Sequence, residues 1–146
     1  MEKVITKNEN ETFEYGLKLG QTLIGGEVLA LYGNLGAGKT KLLQGLAQGL
    51  GVKGPVNSPT FNILKLYKIP GNKKIKFFCH IDAYRLSSEN DLITLGVEEY
   101  FQNKETVTAI EWAEKINNIW PKNTIIIKIK SLSEEKRELT IKKQPI

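Results

Sequence analysis

Cysteine, histidine and arginine are scarce in this 146-residue chain, and long apolar runs are missing from it. Cys79 is the only cysteine and His80 the only histidine, which excludes an internal disulfide, a cysteine metal cluster and a multi-histidine zinc site. No apolar run approaches the roughly 20 residues that span a membrane. The charged residues 1–11 lack the apolar core of a signal peptide. These absences favour a cytoplasmic protein with no membrane partner.

The net charge of +5 comes almost entirely from lysine, because Arg85 and Arg137 are the only arginines. One interpretation is a surface that contacts nucleic acid directly. The other is a lysine-rich composition on solvated faces, which we favour because the lysines are spread along the chain. A hydrophobic fraction of 40% and a charged fraction of 25% are typical of a globular protein. The length suits one domain, residues 1–146.

The stretch GNLGAGKT, residues 33–40, matches the phosphate-binding pattern G-x-x-x-x-G-K-[ST]. Glycines let backbone N–H groups turn inward around a phosphate, with no Cβ to block its approach. In this interpretation Lys39 reaches the terminal phosphates and the Thr40 hydroxyl binds Mg²⁺. An apolar run at residues 28–32 precedes the loop, and leucines at helical spacing follow it in residues 42–50. We therefore predict a nucleoside triphosphate site rather than a chance glycine turn. The predicted contact residues here are Gly33, Asn34, Leu35, Gly36, Ala37, Gly38, Lys39, Thr40 and Lys41.

Two acidic residues, Asp82 and Glu111, end apolar runs that are typical of strands beside a phosphate-loop strand. A threonine hydroxyl alone is a weak ligand for a hard cation, so Mg²⁺ needs help from a carboxylate. We expect one acid to hold Mg²⁺, directly or through water, and the other to orient the attacking water. Which acid takes which role stays open at this point. For each acid alone, the alternative is a strand-end cap or a surface ion pair.

A loop with the residues Ser58, Pro59 and Thr60 follows the predicted phosphate-loop helix. Its place along the chain is typical of a switch loop, which orders around the γ-phosphate and relaxes after hydrolysis. The Thr60 hydroxyl would then approach Mg²⁺ or the γ-phosphate. The alternative is an ordinary Ser-Pro turn before a strand.

The remaining patterns alternate between helix and strand. Asn8 and Glu11 form a capping box before a helical pattern that runs to Ile24. The other predicted elements are a hairpin of residues 61–69 and 75–81, short helices over 86–101 interrupted at Gly96, a strand at 106–110, a helix at 113–119, and strands at 124–129 and 137–142. These elements predict an α/β fold. We expect a single P-loop NTPase domain whose parallel core sheet is extended by antiparallel strands, with helices on both faces.

Four motifs in a fixed order carry a resemblance to a known family. They are GNLGAGKT at residues 33–40, SPTF at 58–61, HIDAYRL at 80–86 and IEW at 110–112. Together, at these spacings, they resemble the bacterial ATPases of tRNA threonylcarbamoyladenosine biosynthesis called TsaE, formerly YjeE. The similarity covers nearly the whole chain, from Thr6 to about residue 129.

The resemblance implies an ATPase that binds ATP and Mg²⁺ and works with two partner proteins, TsaD and TsaB. Together they place a threonylcarbamoyl group on N6 of adenosine 37 in tRNA, and this chain would contact tRNA indirectly through the complex. By the same resemblance, Thr40 and Glu111 contact Mg²⁺ and Asp82 is an essential acid. Trp112 would be a functional aromatic beside the nucleotide. Thr6 falls where the family often touches the adenine.

Two positions depart from the family pattern. Asn34 stands where the family usually has Asp, and Lys41 stands where it usually has a second Thr. Asn34 removes one negative charge near the phosphates, which tightens nucleotide binding, or weakens activity if the Asp serves as a base. We still expect nucleotide binding, and the hydrolysis rate stays open.

Two other classes of protein carry the same phosphate-binding loop. A small P-loop kinase must neutralise two phosphate-bearing substrates, commonly with several arginines on a lid, and here Arg85 and Arg137 are the whole supply. A GTP-dependent switch needs a carboxylate for the guanine, commonly from an N-K-x-D loop. Residues 103–106 read NKET, with Thr in the acidic position. Both patterns favour the ATPase.

Overall fold

The computed structural model describes residues 1–34, 37–57, 63–72 and 74–143. The strands are β1 (Glu2–Thr6), β2 (Val28–Tyr32), β3 (Leu64–Lys68), β4 (Phe77–Asp82), β5 (Thr106–Glu111), β6 (Ile125–Ser131) and β7 (Arg137–Lys143). The helices are α1 (Glu9–Thr22), α2 (Lys39–Leu50), α3 (Asn90–Thr94) and α4 (Val97–Gln102), with a 3₁₀ turn at Ala113–Ile116. Within these described ranges, no helix is both long and apolar enough to cross a membrane.

The seven strands of the described residues belong to one sheet, in the order β1-β7-β6-β2-β5-β4-β3. The four central strands, β6, β2, β5 and β4, run parallel. The edge strands β1 and β3, and β7 between β1 and β6, pair antiparallel with their neighbours. The predicted fold class is therefore confirmed: a parallel core extended by antiparallel strands.

Alternate residues of β2 pack into two separate hydrophobic cores, one on each face of the sheet. Leu29 and Leu31 pack on the face covered by α1 and α2, and Val28 and Ala30 pack on the face covered by α3 and α4. All four side chains are at most 3% exposed. A parallel strand buried on both faces needs a continuous apolar run, which is what the sequence shows at residues 28–32. Helices therefore cover both faces, as predicted.

One strand was not anticipated from the sequence. β1 pairs with β7, with Val4 opposite Leu139 in register. Its sequence EKVIT carries little apolar pattern, and its partner lies near the other end of the described chain. Local periodicity holds no information about such a long-range pairing. The predicted helix at 113–119 is shorter in the structure, a 3₁₀ turn at Ala113–Ile116.

The start of α1 follows the predicted capping pattern. The Asn8 side-chain oxygen accepts a hydrogen bond from the Glu11 backbone N–H at 2.9 Å. The Glu11 carboxylate in turn accepts from the backbone N–H of Lys7 at 2.8 Å, one residue earlier than a standard capping box. These two bonds fix where α1 begins, directly after β1.

Glycines bring the backbones of α1 and α2 into contact. A Cβ added at Gly16 or Gly20 would collide with backbone oxygens of α2, and one added at Gly45 or Gly49 would collide with backbone oxygens of α1. Glycine in a helix interior is unfavourable relative to alanine by about 1 kcal/mol. The close approach of the two helices therefore depends on four glycines that local propensity disfavours.

We predict that Gly45→Ala lowers the free energy of unfolding by about 1–3 kcal/mol, the usual range for overpacking a core. Helix propensity alone would raise it by about 1 kcal/mol, so the sign of the change identifies the clash with the Phe13 carbonyl oxygen. Urea unfolding measures the change. Gly71→Ala is the control, because a Cβ there meets nothing within 4 Å. A stabilised Gly45→Ala variant would contradict the helix contact.

Candidate nucleotide-binding site

The carboxyl ends of β2, β4 and β5 meet at one edge of the sheet, because these strands are parallel. Asp82, the last residue of β4, pairs in register with Glu111, the last residue of β5. The helix α2 starts at the same edge, and a cavity of about 480 Å³ lies there. The predicted site residues that line this cavity are Gly38, Lys39, Thr40, Lys41, Asp82, Glu111 and Trp112.

The loop that leads into α2 uses glycine for two different reasons. Gly38 has φ +101°, a conformation that L side chains rarely adopt. At Gly33, a Cβ would lie 2.7 Å from the Ile129 side chain and 2.9 Å from its carbonyl oxygen. In α2 itself, the first turn holds no acidic residue and no side chain caps it. Its N-terminal N–H groups and the dipole of the helix therefore suit an anion.

Lys39 lines the cavity, with only 5% of its surface exposed. Its ammonium donates a hydrogen bond to the Gly33 carbonyl oxygen at 2.6 Å. The same Nζ lies 4.0 Å from the centre of the Trp112 ring, a cation–π contact. Burial lowers the pKa of Lys39, and nearby carboxylates, Glu111 foremost, oppose that effect. The cation is thus placed where an anionic ligand would meet it, close to the start of α2.

Trp112 takes an unusual backbone conformation directly after β5. With φ 56° and ψ 39° it is, among the described residues, the only non-glycine with positive φ. Such a conformation costs about 1–3 kcal/mol and is tolerated mainly at functional sites. It places the indole over Lys39 and against Tyr84, whose ring centre lies 5.0 Å away at an angle of 47°. The strand end therefore builds an aromatic wall for the cavity.

The two acids have different surroundings. Asp82 is partly exposed, and its Oδ1 accepts a hydrogen bond from the Tyr84 backbone N–H at 3.0 Å. Glu111 is only 4% exposed, and its Oε2 lies 2.8 Å from Nε2 of the buried His80. The Glu111 carboxylate is therefore the more rigidly held of the two, and Asp82 is the more accessible to water.

Several predicted site residues lie elsewhere. Gly33, Asn34 and Ala37 line a neighbouring depression next to residues 128–131 of β6. Thr6 is 3% exposed, and its hydroxyl is hydrogen-bonded to that of Thr12 at 2.7 Å. The remaining predicted residues, Leu35, Gly36, Ser58, Pro59 and Thr60, lie outside the described residues.

The oxygen-bearing side chains of the cavity fit a hard cation whose coordination shell would be completed by phosphate oxygens. Thr40, Asp82 and Glu111 line the cavity and carry side-chain oxygens, the kind of ligand that Mg²⁺ prefers. Among the described residues, no group of three or more His, Cys, Asp and Glu side chains is arranged to hold a metal alone. Mg²⁺ commonly binds through one or two protein ligands plus substrate phosphates and water, so the residues present suit that mode.

The structure adds residues that the sequence did not single out. Glu9 and Thr12 from α1, and Glu135 and Arg137 from the β6–β7 hairpin, line the same cavity. The Arg137 side chain lies over the phosphate-loop glycine, since a Cβ at Gly38 would be 3.4 Å from its Nε. Its Nη1 donates to the carbonyl oxygens of residues 133, 134 and 136. In the sequence, Arg137 is a single arginine in an ordinary strand pattern, and nothing in that pattern indicates that its side chain reaches the cavity.

Glu111 ends the strand beside β2, as predicted, but Asp82 ends β4, which lies one strand further out. A glycine loop between a parallel strand and a helix, with acids ending the next two parallel strands, is the architecture of the P-loop NTPase fold. The family model described as threonylcarbamoyl adenosine biosynthesis protein TsaE matches residues 6–139. The chain belongs to the TsaE family.

Relatives cover this chain closely. The tRNA threonylcarbamoyladenosine biosynthesis protein TsaE of Treponema pallidum is 33% identical over 95% of this chain and 98% of its own length. The Bacillus subtilis protein of the same name is 42% identical over 79% of this chain and 68% of its own length. The crystal structure of Bacillus subtilis YdiB superimposes with a TM-score of 0.77 at 32% identity, covering 99% of this chain and 86% of that one.

We predict that ATP changes the fluorescence of Trp112, because a phosphate that attracts Lys39 alters the charge above the indole ring. Trp120→Phe isolates this signal, since the Trp120 indole bonds to the Ala113 carbonyl oxygen and does not line the cavity. Trp112→Phe should abolish the change. A nucleotide-induced change that survives in Trp112→Phe and disappears in Trp120→Phe would contradict this placement.

A second prediction separates the two arginines. Arg137 lines the cavity, whereas Arg85 is exposed and does not. We expect Arg137→Ala to weaken ATP binding about tenfold or more, since hydrogen bonds to charged groups contribute about 1.5–3 kcal/mol and 1.4 kcal/mol is a factor of ten in affinity. Arg85→Ala is the matched control and should bind ATP nearly as the parent chain does. Calorimetric titration measures both, and equal losses would reject the assignment.

Proposed function

We propose that this chain binds ATP with Mg²⁺ in the cavity at the start of α2 and hydrolyses it to support threonylcarbamoylation of adenosine 37 in tRNA. The observation that carries the proposal is the convergence of Lys39, Thr40, Asp82 and Glu111 on one cavity of about 480 Å³. Membership of the TsaE family supports the role in tRNA modification.

The phosphates of ATP would bind at the N-terminal end of α2. The N–H groups of its first turn, which no side chain caps, point toward this end, and the helix dipole favours negative charge there. The Lys39 ammonium would exchange its hydrogen bond to the Gly33 carbonyl oxygen for the β- and γ-phosphates. Because Lys39 is buried, its charge is little screened by water, and its attraction for phosphate is strong.

The contrast between the two acids suggests a division of roles. Thr40 and the buried, hydrogen-bonded Glu111 would hold Mg²⁺, since metal-ligating carboxylates are usually oriented by a second hydrogen bond. The ion would supply positive charge to the phosphate oxygens during transfer. The more accessible Asp82 would orient the attacking water, and its bond to the Tyr84 N–H fixes the carboxylate in place. Trp112 would close the cavity beside the nucleotide.

Hydrolysis by the isolated chain should be slow. Arg137, the one arginine at the cavity among the described residues, is tied to its own hairpin because its Nη1 donates to three carbonyl oxygens there. We therefore expect it to hold bound ATP but not to follow the charge that develops on the phosphates during hydrolysis. A charged group supplied by a partner would stabilise the transition state, and such a group accelerates P-loop hydrolysis by roughly 10³–10⁵. We propose TsaD and TsaB as those partners, with tRNA contacted through the complex.

The test measures phosphate release and modified tRNA, first for the chain alone and then with TsaD, TsaB and tRNA. We expect slow release by the chain alone and faster release in the assembled complex. Lys39→Ala should lose several kcal/mol of transition-state stabilisation, and so most turnover. Lys53→Ala is the matched control, because Lys53 is exposed and does not line the cavity.

Two further variants test whether hydrolysis is needed to release the chain between rounds of tRNA modification. Asp82→Asn and Glu111→Gln should still allow some ATP-dependent assembly but block repeated modification of tRNA. Near-normal turnover by Lys39→Ala would reject the site. Rapid turnover by the isolated chain, unaffected by partners, would instead favour a stand-alone hydrolase or a kinase.

A further inference from the structure

His80 contacts the proposed metal-ligating acid without lining the cavity itself. It lies on β4 two residues before Asp82, and in register opposite Ala109 of β5. Glu111 is two residues beyond Ala109, so both acids and His80 lie on one face of the paired strands. The small Ala109 side chain leaves room for the diagonal contact from His80 to Glu111, whose Nε2 and Oε2 atoms lie 2.8 Å apart.

The surroundings of His80 indicate which way the hydrogen bond runs. The residue is 1% exposed, and within the described part of the chain its Nδ1 has no hydrogen-bond partner. A carboxylate oxygen only accepts hydrogen bonds, so in this contact the His80 Nε2 carries the proton and donates to Glu111. Phe78 holds the ring from one side, nearly parallel at a centroid distance of 6.2 Å.

We propose that His80 is a positioning residue, whose Nε2–H fixes the orientation of the Glu111 carboxylate for the divalent cation of the bound nucleotide. The inference rests on the proposed function, because it gives Glu111 the role of a Mg²⁺ ligand. A carboxylate rotates readily about its last bond, and one hydrogen bond to a buried, immobile donor removes that freedom before the cation arrives. Partners of this kind change metal affinity by about 10–100-fold when they are removed.

A purely structural role would also make His80 substitutions destabilising, so a stability measurement does not separate the two roles. The position of the donor atom does. His80→Gln can place an amide N–H near the position of Nε2, whereas the shorter side chain of His80→Asn places it near Nδ1. His80→Leu removes the donor while keeping the site filled. Cys79→Ala is the control, because Cys79 is the adjacent, fully buried residue on the opposite face of β4.

The experiment measures Mn²⁺ affinity of the complex with ADP by electron paramagnetic resonance, since Mn²⁺ takes the same oxygen ligands as Mg²⁺ and ADP is not consumed. Calorimetry without metal measures ADP affinity alone. We expect His80→Leu and His80→Asn to weaken Mn²⁺ binding about tenfold or more, with ADP affinity unchanged. His80→Gln should stay within about threefold of the parent, on the same scale of metal affinities, and Cys79→Ala should match it.

The outcomes separate this inference from the proposed function. If the parent complex binds ADP but no Mn²⁺ beyond what free ADP binds, the metal role of Glu111 is wrong, and the role of His80 with it. If the parent binds Mn²⁺ tightly and His80→Asn binds it equally well, only the inference about His80 is overturned. Should circular dichroism show that His80→Leu does not fold, the difference between His80→Gln and His80→Asn decides.

Discussion

The contact between the backbones of α1 and α2 sets the distance between two walls of the cavity. α2 brings Lys39 and Thr40 to it, and α1 brings Thr12. Since glycines such as Gly16 and Gly45 leave no side chain between the helices, their separation is set by the backbone atoms themselves. Small changes of core side chains therefore alter this distance little, which suits a site whose parts must be held within fractions of an ångström.

The pairing of β4 with β5 likewise fixes the positions of the two acids. Asp82 and Glu111 are the last residues of two adjacent parallel strands, and the ladder fixes them opposite each other. The register also sets His80 opposite Ala109, which gives Glu111 its hydrogen-bond donor. The positions of the acids at the sheet edge thus depend on backbone hydrogen bonds, while side chains such as Trp112 shape the cavity.

The sequence predicted the elements that carry their own local pattern, and the structure shows which parts need distant partners. Turn residues and hydrophobic periodicity indicate where α2 begins, where β4 and β5 end and where the helices break at Gly96. The predicted positions of these features therefore agree with the structure. The strand β1 was not predicted because its extended conformation comes from pairing with β7. Arg137 was missed for the same reason, since only the hairpin geometry carries it over Gly38. The contact of Thr6 with adenine stays a prediction; in the structure Thr6 is buried, with its hydroxyl bonded to that of Thr12.

At Trp112, backbone strain and the shape of the cavity are set by the same residue. A glycine there would relieve a backbone conformation that costs about 1–3 kcal/mol, and would remove the indole that covers Lys39. Relief of the backbone strain would therefore be set against the lost packing of the indole on the core, and a screen for thermostability alone would take no account of the cavity wall that the indole forms. The positive φ at residue 112 marks the position that an engineer of a more stable variant should leave unchanged.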